Sequence, residues 1–305
     1  MSDESNQLYE INDDRFRFLV FGTESLVEHY SDCRWAEGPV WFEDLDCLVW
    51  SDIPNRRMLR LLPDGHVSLF RTTDFVNGNT RDRQGRIVSC EHGGRRVIRT
   101  EHDGTITVIA DRHDGRRLNS PNDVVVKSDG SIWFTDPSYG IQSNYEGYRA
   151  KPEQPTCNVY RVDPATGDVA MMANDFRMPN GLAFSPDESK LYVADSGATH
   201  FPDGPHHIRA FNVGADGKLS GGNVLYTTDI GVPDGFRVDV DGNIWTSAGD
   251  GIHCVSADGA LLGKIRIPQV VANLTFGGPR RNRLFIAATK SLYSVYVGAV
   301  GVQRP

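Results

Sequence analysis

Two carboxylates and four amides recur at matching places along the chain: Glu37 in EGPVW, Asn77 in NGNT, Asn122 in PNDV, Asn180 in PNGL, Asp234 in PDGF and Asn273 in NLTF. Each offers an oxygen, and brought to one point they would form a ring of hard ligands. Two facing carboxylates repel, and burying them is costly without a cation. A divalent ion offsets both charges, and calcium accepts carboxylate, amide-carbonyl and water oxygens together. Taken singly, an Asn-Gly or Asp-Gly pair marks a turn. Six oxygen-bearing residues in equivalent positions ask for a further reason. No Cys or His belongs to the set and no H-E-x-x-H occurs, which disfavours zinc and copper and leaves magnesium and manganese compatible. VDVDGN (238–243) resembles part of a calcium loop, but the rest of the twelve-residue pattern is missing and it reads as a hairpin turn.

The elements that must gather these residues are six repeats. Their clearest segment is a strand ending in a small or acidic residue: CLVWSD (47–52), RIVSCE (86–91), SIWFTD (131–136), KLYVAD (190–195), NIWTSA (243–248) and RLFIAA (283–288). Turn chemistry precedes five of them, at Gln84-Gly85, Asp129-Gly130, Pro186-Asp187, Asp241-Gly242 and Pro279-Arg280. A third strand follows in each unit and a fourth in five. A period of ~40–50 residues with several strands per unit signals a propeller. The expected class is all-β: a six-bladed β-propeller of four-stranded antiparallel blades, spanning residues 15–305 as one domain after a loose arm at 1–14. The last unit lacks a fourth strand, and SLVEHY (25–30) should supply it, which leaves no blade edge open.

In this register the six candidate ligands begin the innermost strands and converge on the axis. The ends of the second strands return to the same mouth, bringing Asp52, Glu91, Asp136 and Asp195. The two longest connections, Pro137 to Cys157 and Ser196 to His207, leave from this end and are the natural lid elements. They carry Tyr139, Tyr145, Tyr148, His200, His206 and His207. Tyr139, just after Asp136, is the foremost substrate-contact candidate among them. His92 is a second, with a neutral structural histidine as its plainer reading.

The remaining features mostly exclude. Thirty-one Gly and sixteen Pro leave little room for long helices, and a net charge of −8 disfavours nucleic acid as a partner. No apolar run approaches the ~20 residues of a membrane span, and Met1 to Asp14 is acidic and polar, unlike a secretory signal. Cys33, Cys47, Cys90, Cys157 and Cys254 are odd in number and widely spaced, so neither a disulfide framework nor a thiolate metal site is expected. A cytoplasmic protein without a membrane partner is the resulting expectation. There is no G-x-S-x-G, Ser196 has no evident base, and no nucleotide-binding glycine fingerprint is present.

Extended runs carry a resemblance: WAEGPVW (35–41), WSDIPNRRML (50–59), NGNTRDRQGR (77–86), CEHGGRRVIRTEHDG (90–104), RLNSPNDVVVKSDGSIWFTDPSYGI (117–141), PNGLAFSPDE (179–188) and FGGP (276–279). Over nearly its whole length the chain resembles the SMP-30/gluconolactonase family, bacterial gluconolactonases above all. The resemblance implies a six-bladed propeller that hydrolyses sugar lactones with one axial divalent ion, calcium or a similar cation. It places the metal ligands on Glu37, Asn122, Asn180 and Asp234, and an acid-base role on Asp234 as well. Asn77 and Asn273 are then outer ring members or substrate contacts, with Asn119 and Asp123 as supports or further contacts. Two alternatives stay open at this point: an esterase or organophosphate hydrolase on the same metal propeller, and a non-catalytic ligand-binding propeller. The expected partner is a small sugar lactone, and the expected state a monomer or homodimer.

Overall fold

The computed structural model describes residues 8–302. Six antiparallel sheets follow one another around a central axis. Blade one is built from Ala36–Phe42, Cys47–Asp52, Arg57–Leu61 and Val67–Thr72, and blade two from Val76–Arg81, Ile87–Glu91, Arg96–Thr100 and Ile106–Ala110. Blade three comprises Val124–Val126, Ile132–Asp136, Cys157–Val162 and Val169–Phe176, and blade four Pro179–Phe184, Lys190–Asp195, His207–Val213 and Leu219–Thr227. Phe236–Val238, Ile244–Ala248, Gly251–Val255 and Leu261–Arg266 make blade five. Blade six contains Val271–Gly277, Arg283–Ala288 and Ser291–Tyr296, and its outermost strand is Val27–Tyr30 from the start of the chain. The closure read from SLVEHY is therefore present, with Val27 opposite Ser294 and Tyr30 opposite Leu292.

Apolar residues run consecutively in the second strands, as in CLVW and LFIAA, because both faces of a blade meet a neighbour. The buried side chains form six clusters, each lying between two adjacent blades. Trp133 and Trp245, at equivalent places on their second strands, and Trp50, one place further along its own, are fully buried in these seams. The core is thus a set of wedges around the axis, which leaves the axis itself to polar groups.

One expectation changes. Where a loose arm is read from the sequence, Tyr9–Ile11 forms a fifth strand on blade five, pairing Tyr9 with Ile265 and Ile11 with Gly263. Phe16, just beyond it, is fully buried and packs 6.0 Å from Trp245. Gly263 makes this fit, since a Cβ there would lie 2.2 Å from the Phe16 ring. The segment covers the outer edge of a blade that would otherwise expose unpaired backbone. The first seven residues of the expected arm lie outside the described residues. Among the described residues all five cysteines are free, and no helix is long and apolar enough to cross a membrane.

Candidate active site

The innermost strands do not run as regular ladders past the ring residues. In blade one Glu37 faces Ser51 while Val40 faces Val49, so three steps on one strand meet two on its partner. The same extra residue occurs between Val76 and Asn79, between Pro179 and Leu182, and between Val271 and Asn273. In blades three and five the ladder begins only after the ring residue. A bulge turns a side chain that would lie in the blade face toward the end of the strand. Every ring position therefore coincides with a break in pairing, which aims its oxygen at the axis.

The glycines that follow are not turn residues. Gly78 N donates to Asn122 O at 2.9 Å, and Gly181 N donates to Asp234 O at 3.0 Å, so neighbouring inner strands bond directly across the blade seam. A Cβ on Gly181 would sit 2.2 Å from Asp234 O, and one on Gly235 would sit 2.0 Å from Asn273 Cγ. Only glycine allows this approach. Hydroxyls from the second strands complete the scaffold: Ser51 Oγ donates to Asn77 O and Thr135 Oγ1 to Asn180 O, both at 2.7 Å, while Asp234 N donates to Ser247 Oγ at 2.8 Å.

Within this scaffold Glu37 is 3 % exposed, and its Oε2 accepts from Gly38 N at 2.7 Å and Asn273 Nδ2 at 3.0 Å. Burial, and then the charge of Asp123, push its carboxyl well above the usual range. Asp234 is driven up in the same way, by burial first and next by Glu37, against a bond from the Asn180 side chain. The Asn180 Oδ1 and Asn77 Oδ1 atoms are buried without a hydrogen-bond partner. Carboxylates that resist ionisation and amide oxygens that face nothing are what an axial cation would satisfy. Glu37 and Asn180 are buried and Asp234 half-buried at this ring, and Asn122, buried just before the first strand of blade three, is joined to it by the bond from Gly78 N to its carbonyl.

The other candidates fall into place around this ring. His92 is fully buried behind Asn77: its Nε2 lies 3.3 Å from Asn77 Nδ2, and its Nδ1 lies 3.0 Å from Glu146 O. Burial pushes His92 down to about 4, so near neutral pH Nδ1–H donates to Glu146 O and Nε2 accepts from the Asn77 amide. That orientation turns Asn77 Oδ1 away from the histidine. Asn119 Nδ2 donates to Thr156 O at 3.2 Å, which ties it to the end of the lid loop. Asp123, 1 % exposed, follows Asn122, with its Oδ2 3.9 Å from Arg237. Tyr139 is half-buried, its ring 5.4 Å from His200, and its phenol is raised by burial and by the charge of Asp234.

Two features differ from the sequence reading. Asp52, Asp136 and Asp195 do reach the ring end of their blades, but their oxygens are consumed by backbone and, at Asp52, also by the Asn55 and Arg57 side chains. Asp52 accepts from Arg34 N, Asp136 from Asn119 N and Ser120 N, and Asp195 from Arg177 N and Met178 N. They clamp the segment entering each inner strand and do not make the mouth acidic. Glu146 does so instead, from the loop between the second and third strands of blade three, and its charge raises both Glu37 and Asp234. It belongs to no repeat, so register could not find it.

Residues 35–290 match the SMP-30/Gluconolactonase/LRE-like region. The chain belongs to this family. Among its SMP-30/gluconolactonase relatives, the gluconolactonase of Zymomonas mobilis subsp. mobilis is 30 % identical over 296 residues, covering 89 % of this chain and 81 % of that protein. The pentonolactonase XacC of Haloferax volcanii is 29 % identical over 267 residues, covering 84 % and 82 %. A solved gluconolactonase from Xanthomonas campestris superposes with a TM-score of 0.89 at 39 % identity, over 95 % of this chain and 94 % of that one.

A second acidic group in this family member lies between blades four and five, where ligand atoms of Asp229, Asp250 and His253 fall within 4.8 Å of one another. Lys264 Nζ already fills the position a cation would take, 2.7 and 2.9 Å from the Asp229 oxygens and 3.0 Å from Asp250 Oδ2. That cluster carries a counter-charge of its own. The axial ring is not.

Proposed function

We propose that the chain hydrolyses sugar lactones with one divalent cation, calcium by preference, held by Glu37, Asn122, Asn180 and Asp234. The observation that carries this reading is the excess of carboxyl groups at the axis, two of them buried and two half-buried. Glu37, Asp123, Asp234 and Glu146 act on one another there, and the basic side chain that approaches them, Arg237, comes only within 3.9 Å of Asp123. Two carboxylates and two amides suit a hard cation that prefers oxygen. Magnesium, manganese and zinc are the competing ions. The reaction class is supported by the gluconolactonase and pentonolactonase relatives.

When bound, such an ion supplies Lewis acidity toward a carbonyl oxygen. The protein's own part is positioning and proton transfer. Asp234 is held by its backbone on both sides, through Ser247 Oγ and Gly181 N. Its carboxylate takes a proton as water adds to the lactone carbonyl, then returns it to the ring oxygen as the ester bond breaks, leaving a hydroxy acid. Asn180, bonded to the Asp234 side chain, fixes the direction of that carboxylate. Asn77 and Asn273 hold the rim, the latter by donating to Glu37, and Tyr139 and Asn119 border the mouth.

The test is hydrolysis of glucono-1,5-lactone, followed by acid release, before and after chelation and with calcium, magnesium, manganese or zinc restored. Loss on chelation and recovery with calcium are expected. Full activity in chelator would overturn the metal role, and no lactone turnover with any ion would overturn the reaction class.

A further inference from the structure

The loop joining the second and third strands of blade three is folded back on itself and fastened to blade two. Gly140 N donates to Ser120 Oγ at 3.0 Å, and Ala150 N donates to Ile141 O at 3.0 Å. Gly147 lies against Gly140 so closely that a Cβ would meet Gly140 O at 2.1 Å. Tyr148 donates to Asp74 at 2.9 Å and packs edge-on against Phe75, with ring centroids 5.3 Å apart. His92, buried behind Asn77, fixes the backbone of Glu146 through the bond to its carbonyl. Glu146 is thus the rigid part of the lid.

Its side chain is half-buried and close enough to act on Glu37 of blade one and Asp234 of blade five, residues on separate blades around the ring. Its backbone is joined through His92 to the ring residue Asn77, which puts this part of the loop at the rim of the mouth. Among the described residues no side-chain or backbone donor bonds its carboxylate, whereas Glu37 has two donors and Asp136 two. A fixed, partly desolvated acceptor at the mouth, with no partner of its own, is suited to the hydroxyls of an incoming molecule.

We propose that Glu146 is a specificity-determining residue, accepting hydrogen bonds from substrate hydroxyls and selecting uncharged, hydroxyl-rich lactones over lactones that carry a negative group. This assignment rests on the lactone reading above. With a divalent ion in the ring and Arg237 beside Asp123, the four carboxylates still leave the site one negative charge in excess. A carboxylate, sulfonate or phosphate on the substrate is repelled by that excess, and a bare lactone ring gains nothing from Glu146.

The experiment compares kcat and KM of the calcium-loaded parent and Glu146→Gln on three lactones: glucono-1,5-lactone, δ-valerolactone, and an aldonolactone bearing a terminal carboxylate. Calorimetry measures calcium affinity alongside. A charge-assisted hydrogen bond should make kcat/KM for gluconolactone fall about tenfold relative to δ-valerolactone, mainly through KM. The preference for gluconolactone over the carboxylate-bearing lactone should narrow by about tenfold or more, because the same change removes both an attraction and a repulsion. Calcium affinity should be retained. Equal proportional losses on all three substrates would overturn the assignment, as would loss of calcium binding, which would make Glu146 a metal ligand. A parent that turns over none of the three overturns the lactone reading itself, and this assignment with it.

Discussion

At the seam of blades four and five, Lys264 donates to Asp229 and Asp250, and His253 Nε2 lies 2.7 Å from Asp250. At the axial mouth Glu37, Asp123, Asp234 and Glu146 gather without an ammonium among the described residues. The titration of the two groups differs accordingly. The bond from Lys264 holds Asp229 below the usual range. For Asp250, burial pushes up, and the bonds from His253 and Lys264 outweigh it. At the axis burial and mutual repulsion win, and the carboxyls of Glu37 and Asp234 go up. Both clusters sit at ends of strands in the same propeller, so the fold does not make the difference. One carries its counter-charge in the sequence, and for the other the proposed function assigns that charge to an ion from solution.

The strongest way to break this comparison is to remove one carboxylate from each side. Asp234→Asn should lower kcat by about 10³-fold, since in the proposed mechanism it removes a ligand and the proton acceptor together. Asp229→Asn should stay within about twofold, because Asp229 is on the outer part of the seam and more than half exposed. Comparable losses in the two variants, measured on glucono-1,5-lactone, would erase the distinction.

A smaller effect lies in pH. A carboxyl whose folded-state pKa is raised holds its proton more tightly folded than unfolded, so stability falls as pH rises from the ordinary carboxylate range through the raised value. For Glu146 that value is about 6, and Glu37 and Asp234 extend the decline upward. Bound calcium removes the cost by satisfying the charged forms. The gap between Tm with calcium and Tm in chelator should therefore widen between pH 5 and 8, by on the order of 5 °C. His92 and His29, pushed to about 4 by burial, act with the opposite sign between there and their ordinary range, and Asp136 acts with the same sign. All three belong to both curves and cancel in the gap. A gap independent of pH would mean that calcium does not meet these carboxylates.

The smallest effect is Lys264→Met, which strips the built-in counter-charge. Breaking a buried ion pair costs several kcal/mol, but Asp229 is 58 % exposed, so about 1–2 kcal/mol is expected after solvent screening. Urea unfolding in chelator measures it. No change would show that the seam cluster is a surface ornament, with no bearing on the axial contrast.

Much of this is legible in the sequence, and the limits are physical. Glu37, Asn180 and Asp234 stand out because each precedes a strand whose repeat can be aligned, and the propeller follows from that alignment. Their bulges are hidden there, since Asn-Gly and Asp-Gly read as turn formers. In the fold Gly181 and Gly235 serve the close approach of neighbouring strands. Glu146 carries no sequence signal because it lies in an irregular loop whose path is set by the Gly140–Gly147 contact and by His92 from another blade. Tyr9–Ile11 carries none because three residues show little periodicity, and their partner strand is about 250 residues away. Asp52, Asp136 and Asp195 are assigned by register to the right end of the blades with the wrong neighbours, because a carboxylate's hydrogen-bond partners depend on loop geometry.

Calorimetric titration of chelator-stripped protein with calcium tests most directly whether the axis, and not the seam, binds a divalent cation. The proteins to compare are the parent, Glu37→Gln, Asp234→Asn and Asp229→Asn. One binding event in the parent and in Asp229→Asn, absent from the two axial variants, is the predicted result. No binding to the folded parent, or binding that survives both axial substitutions and disappears with Asp229→Asn, would contradict it.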